Sequence, residues 1–546
     1  MEWKVRQISS LEKVRATDNL DHDEIHKKIV LAGERLSYQI SMQSDCRMFM
    51  TASVESKLAE YVKLYQVKEV CMDMPVTEEV SAEEYITLEP GLMPDLLVPL
   101  HIMTVSRQSG SIWVKVDLPK DMAAGTYTLK IHLTAKGAGG DILSTCCKDL
   151  TVEVIPAVMP EQELIYTRWF YADCIAVAHD VEIYSEKHWE LIDKYIAAAS
   201  DVGINMILVP IHTPPLDTEI GTARPCVQLV DIEKNGETYT FAFPKFKRFI
   251  HICKKHGIKY FEMAHMFSQW GAKCAPNIMV TENGKKDYLF GWHVAADSPE
   301  YVSFLKQYIK AISDELEAEG ISEHTYFHIS DEPTLDNMDT YKKASEIIRP
   351  FIGASKTFDA LSNYVFYEKG LVECPVTCVN HIHEFLQHDI PNQWAYYCCG
   401  PQKVFTNSFM AMPSCTTRVL GFLLYKYNIK GFLHWGFNYY NACRSLYPIN
   451  PYQTTSADKV FPSGDPFIVY PGQDCVYPSI RGEITYEAIQ DMNICLALEK
   501  LLGRESVVRM IDQAAGRDLR FDDYPRSNAF LEELRAAMVE AIRNRS

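Results

Sequence analysis

The sequence predicts a multidomain protein: an all-β N-terminal region, expected to fold as a β-sandwich, followed by an α/β domain closed as a (β/α)8 TIM barrel. Three observations predict this. The chain has 546 residues, more than one ordinary core supports. Its first 158 or so residues read as short alternating strands between turns. From about residue 163 the rhythm changes to strand, helix, strand, repeated eight times over nearly three hundred residues.

In the N-terminal region, residues 29–31, 37–42, 111–118 and 125–134 alternate apolar and polar side chains, and the run from Ala123 to Thr126 is a turn feeding the last of these. A sandwich buries one face of each such strand. Pro156 and Pro160 bracket the exit, so the expected domains are 1–158 and 159–546.

Barrel strands are expected at 165–171, 205–211, 258–264, 325–330, 357–362, 377–381, 394–398 and 431–436. Helical spacing covers 188–200, 243–256 and 300–319, ending near Gly203, Gly257 and Gly320. Residues 338–349 and 407–428 also read as helices. An open doubly wound sheet is the competing topology, but it calls for a glycine-rich first turn that the sequence lacks. A final amphipathic stretch, 530–542, is expected to pack on the barrel.

A net charge of −18 argues against nucleic acid or an anionic membrane surface as partner. The start has no apolar leader-like run, and no apolar stretch is long enough to span a bilayer. Sixteen scattered cysteines without a C-x-x-C pair read as reduced thiols, so a cytoplasmic location is expected.

The most informative segment is Tyr-Phe-His-Ile-Ser-Asp-Glu-Pro-Thr at 326–334. A short strand runs into two adjacent carboxylates, Asp331 and Glu332, and Pro333 blocks its continuation. Two acids at a strand end suit a site that protonates one atom and steadies charge on another. The competing reading is an acidic pair capping the next helix. Barrel topology favours the first, because such sites assemble at the C-terminal strand ends.

Other expected strand ends offer Trp169, Tyr171 and Asp173; His212; His265 and Trp270; Asn363; His381, His383 and Glu384; Tyr396 and Tyr397; and Trp435 and Asn438. Aromatic rings, amides and imidazoles around a carboxylate pair match a neutral sugar, whose C–H faces stack on rings while its hydroxyls bond to polar tips. The candidate substrate contacts are His328, Trp435, Tyr397, His212, His265, Asn438, Trp169 and Asp173, with Trp435 expected in the floor. No cofactor or metal is expected: residues 381–384, His-Ile-His-Glu, lack the spacing of a metal framework. Cys174 and Cys399 read as core thiols, Arg481 and Glu483 as a structural ion pair, and the turn-rich 464–472 as a surface loop or site wall.

The motif around His328, Asp331, Glu332 and Pro333 resembles that of glycoside hydrolase family 123. Segments 431–438, 464–472 and 478–483 are similar to the same catalytic domain, and 32–39 to the entry of the β-sandwich that precedes it. The resemblance implies an exo-acting β-N-acetylhexosaminidase, with N-acetylgalactosamine as the family's known sugar, working by a substrate-assisted retaining mechanism. It also implies Glu332 as general acid and base and Asp331 as orienter of the substrate's acetamide. Adjacent carboxylates suit that route, since a conventional retaining pair must reach opposite faces of the bond. Two alternatives stay open: a glycosidase on a sugar lacking the acetamido group with Asp173 or Glu384 as nucleophile, and a carbohydrate-binding protein with a dead barrel.

Overall fold

The computed structural model describes residues 2–269 and 271–545. The N-terminal region is all-β, with two five-stranded sheets. The strands expected from alternation are present as Lys27–Ala32, Arg35–Ser44, Gly110–Asp117 and Gly125–Lys136. Alternate side chains from both sheets, among them Tyr38, Ile40, Ile112, Val114, Leu129 and Ile131, meet in one apolar core.

Eight parallel strands then close into a barrel: β1 (Ile165–Arg168), β2 (Met206–Val209), β3 (Tyr260–Met263), β4 (Thr325–Phe327), β5 (Lys356–Leu361), β6 (Cys374–Cys378), β7 (Trp394–Tyr396) and β8 (Gly431–His434). β8 pairs with β1 and completes the ring. All eight fall within or beside the expected segments, mostly as shorter strands. They are legible because strands buried on both faces read as continuous apolar runs.

Helices cover the strands and obey local rules. Ser298 caps Pro299–Ala318, accepting the Tyr301 N–H at 3.3 Å, and Pro299 sits where a missing N–H costs nothing. That helix ends before Gly320, whose φ of 68° is the left-handed turn that favours glycine. The expected helix at 407–428 is instead a loop followed by two short helices, Ser414–Arg418 and Leu420–Lys426. Pro413 precedes the first of them, and a proline is tolerated at a helix start but not within one.

The N-terminal region grips the loop after β8. Asp73 accepts hydrogen bonds from the Thr455 N–H at 3.0 Å and the Ser456 hydroxyl at 2.7 Å. Asp95 pairs with Arg481 at 2.9 Å, while Glu483 pairs with Lys115 at 3.0 Å. The ion pair expected between Arg481 and Glu483 is therefore not formed; each instead anchors the barrel to the N-terminal sheets. The C-terminal helix Asn528–Arg543 also bridges the two regions, through Arg535 to Glu34 and Lys28 to Glu532. Among the described residues, no helix is long and apolar enough to cross a membrane.

Candidate active site

Asp331 and Glu332 lie in the loop after β4, and both line a pocket at the C-terminal mouth of the barrel. Strand β4 stops at Phe327, so the carboxylates are carried by irregular backbone and not by a strand face. Glu332 has φ of 43°, a left-handed conformation that costs a non-glycine residue about 1–2 kcal/mol. The surroundings hold it there. The Ser330 hydroxyl donates to the Ser268 carbonyl at 3.0 Å, and the Asp359 carboxylate accepts the Ile329 N–H at 3.1 Å. Thr334 and Asn337 cap the next helical turn, so the acidic pair is not its cap.

The pocket wall takes Trp169 and Tyr171 from beyond β1, Leu216 and Asp217 from beyond β2, Gln269 from beyond β3 and Trp435 from beyond β8. Its volume is about 140 Å³.

Tyr396 donates its hydroxyl hydrogen to Glu332 Oε1 at 2.7 Å, and Gln269 donates from Nε2 to Asp331 Oδ2 at 3.3 Å. Gln269 also accepts the Asp217 N–H at 2.6 Å, tying that loop to the carboxylate. Burial, and then the neighbouring Glu332 carboxylate, push Asp331 up to about 8. The pair by itself thus favours a proton on Asp331, whereas the roles implied by the family resemblance need it on Glu332. The reason is local: Asp331 is 7% exposed, and ionising it there forfeits more hydration.

Trp435 is half-buried in the pocket wall, its Nε1 donating to Asp465 Oδ2 at 2.8 Å. This places the turn-rich 464–472 segment behind the pocket. Trp169 also lines the pocket, and its Nε1 donates to Glu262 Oε2 at 3.2 Å.

Other candidates lie beneath or beside the pocket. His328 is fully buried between Asp359, at 3.1 Å, and Glu262, at 3.0 Å. These carboxylates outweigh burial and raise it to about 9. His265 stacks on His328 with ring centroids 3.8 Å apart and an interplanar angle of 11°. His212 is buried against the His265 carbonyl at 2.9 Å, and Tyr397 is buried beside Phe432 and His434. Asn438 exchanges two hydrogen bonds with the Tyr171 backbone, at 2.9 and 3.0 Å, which fixes the β1 loop. Asp173 is sealed in an ion pair with Arg224 at 3.1 Å. Glu384 is exposed on the helix Ile382–Leu386 and does not line the pocket. Trp270 lies outside the described residues.

His265, His328 and Asp359 place ligand-type atoms within 4.8 Å of one another. A metal does not suit them. Face-to-face rings direct their lone pairs along parallel planes, and both His328 nitrogens already meet carboxylates.

Residues 169–498 match the model of the glycoside hydrolase 123 catalytic domain, which is more than half of the chain. The chain belongs to glycoside hydrolase family 123. Its fold is similar to that of a family 123 glycoside hydrolase from Clostridium perfringens, studied for glycolipid glycan hydrolysis, with a TM-score of 0.74 and 17% identity over 100% of this chain and 98% of that chain. A β-glucuronidase from Bifidobacterium dentium aligns at a TM-score of 0.34 and 9% identity, over 89% of this chain and 66% of that one. No curated protein sequence matches the chain.

Tyr396, Gln269 and Asp217 are the main additions to the expected site. Tyr396 stands among the strand-end residues beside Tyr397, and the structure brings the former to Glu332. Gln269 and Asp217 sit on loops where no periodicity marks them.

Proposed function

We propose that this family 123 enzyme removes a terminal β-linked N-acetylhexosamine, with N-acetylgalactosamine as the sugar, by substrate-assisted retention. The observation that carries the reading is the adjacent Asp331 and Glu332 in a pocket at the barrel mouth walled by Trp169 and Trp435. Glu332 protonates the departing oxygen and later deprotonates water. Asp331 accepts the acetamide N–H, aims its carbonyl oxygen at C1 and steadies the oxazolinium charge. Substrate binding reverses the proton preference of the pair. The acetamide N–H stabilises an ionised Asp331, and Glu332 takes the proton next to the leaving oxygen.

Trp435 and Trp169 supply rings for the C–H faces of the sugar. Trp435→Ala is expected to raise KM about tenfold, on the scale of one lost aromatic contact of ~1.4 kcal/mol. Unchanged KM and kcat in a folded variant would remove Trp435 from the binding floor.

A conventional retaining mechanism would draw its nucleophile from Asp217, the other carboxylate lining the pocket. Asp173 and Glu384 are poorly placed for that role. Activity on aryl β-glycosides with and without the 2-acetamido group separates the readings: cleavage only of acetamido sugars supports substrate assistance, and equal cleavage of both opposes it.

We also read 1–158 as a β-sandwich domain and 159–546 as the catalytic barrel with its C-terminal helices; the apolar core shared by the two N-terminal sheets supports this. The sixteen free cysteines support a reducing compartment such as the cytoplasm.

A further inference from the structure

The loop after β7 brings two adjacent thiols, Cys398 and Cys399, to the pocket wall. Their sulfurs lie 3.9 Å apart, and both residues are half-buried. The Cys398 N–H donates to the Gly400 carbonyl at 2.9 Å, so the backbone curls tightly here. Tyr396, which holds Glu332 at 2.7 Å, is two residues upstream of Cys398. Sugar hydrolysis gives these thiols no task.

We propose that Cys398 and Cys399 form a reversible dithiol switch in the pocket wall, closed to a disulfide by hydroperoxides, which turns the enzyme off by displacing Tyr396 from Glu332. Its effect on activity rests on the proposed role of Glu332; formation of the cross-link does not.

Closing the bond draws the sulfurs from 3.9 Å to about 2.05 Å. Adjacent Cα atoms lie about 3.8 Å apart, below the roughly 4.4–6.8 Å of ordinary disulfides, so the closed form is strained. Strained, accessible disulfides are the readily reduced ones, as a reversible switch requires. The Cys399 sulfur beside it, burial and the Glu332 carboxylate hold the Cys398 thiol well above its usual range. Cys399 therefore takes the first oxidation and Cys398 resolves it.

In the first step the Cys399 sulfur attacks the peroxide, the O–O bond breaks, and an alcohol and a sulfenic acid result. The Cys398 sulfur then attacks that sulfur; the S–S bond forms, the S–O bond breaks and water leaves. Two thiols and one hydroperoxide give one disulfide, one alcohol and one water; hydrogen peroxide gives two waters.

The test treats the full chain with hydrogen peroxide and follows aryl-glycoside cleavage together with acid-quenched peptide mapping. Cys398→Ser and Cys399→Ser are each compared with their own reduced form. The wild type should lose activity by about a hundredfold, the scale of an ångström-sized misplacement, and recover it with dithiothreitol. The map should show a Cys398–Cys399 link, and neither variant should form a link or show that recoverable loss. A linked protein with full activity, a link from Cys398 to Cys378, or a Cys399→Ser variant inactivated like the wild type would overturn the proposal. If the reduced protein cleaves no glycoside, the functional reading fails, and an absent link in the map would still refute the switch.

Discussion

Glu332→Gln is expected to lower kcat/KM by about 10²–10⁴ on substrates with poor leaving groups, the usual contribution of a positioned general acid. On activated aryl glycosides the loss should be much smaller for the bond-breaking step, because such a leaving group departs with little protonation. Tyr396 should still hold the amide oxygen, so the variant keeps its local hydrogen bond. An equal loss on both kinds of substrate would assign Glu332 a different role.

Asp331→Asn is expected to lose about 10²–10³ on both kinds of substrate, as for removal of one preorganised charge-stabilising group. The same change should alter stability in a pH-dependent way. Asp331 is raised from 3.8 to about 8 in the folded protein, so the folded state holds its proton more tightly than the unfolded chain. Its contribution to stability is therefore fully present at acidic pH and lost as pH rises towards 8. The neutral asparagine avoids that loss. The Tm of the variant should exceed that of the wild type at pH 8, with the gap shrinking towards pH 5. A gap that grows on acidification would contradict the burial argument.

The barrel is legible in the sequence because its strands are continuous apolar runs and several helices end at glycines. The acidic pair is legible because it follows a short apolar strand pattern and Pro333 comes directly after it, although the strand itself ends earlier, at Phe327. The imidazoles are harder. Thr167, Glu262 and Asp359 come from β1, β3 and β5, and alternate strands share a layer inside such barrels. His328 and His265 join that polar layer below the pocket, and a sequence shows that a residue is near a strand end without showing which layer it enters. Tyr396 and Tyr397 make the same point, since one step along the chain separates the pocket from the core. Gln269 and Asp217 depend on loop paths that leave no periodic trace.

The central claim is that the sugar's own acetamido group attacks C1, and intact mass after incubation with an activated 2-deoxy-2-fluoro glycoside tests it most directly. The account predicts no glycosyl-enzyme, because the analogue lacks the nucleophile and the protein supplies none. A covalent sugar on Asp217, or on any other carboxylate, would contradict it.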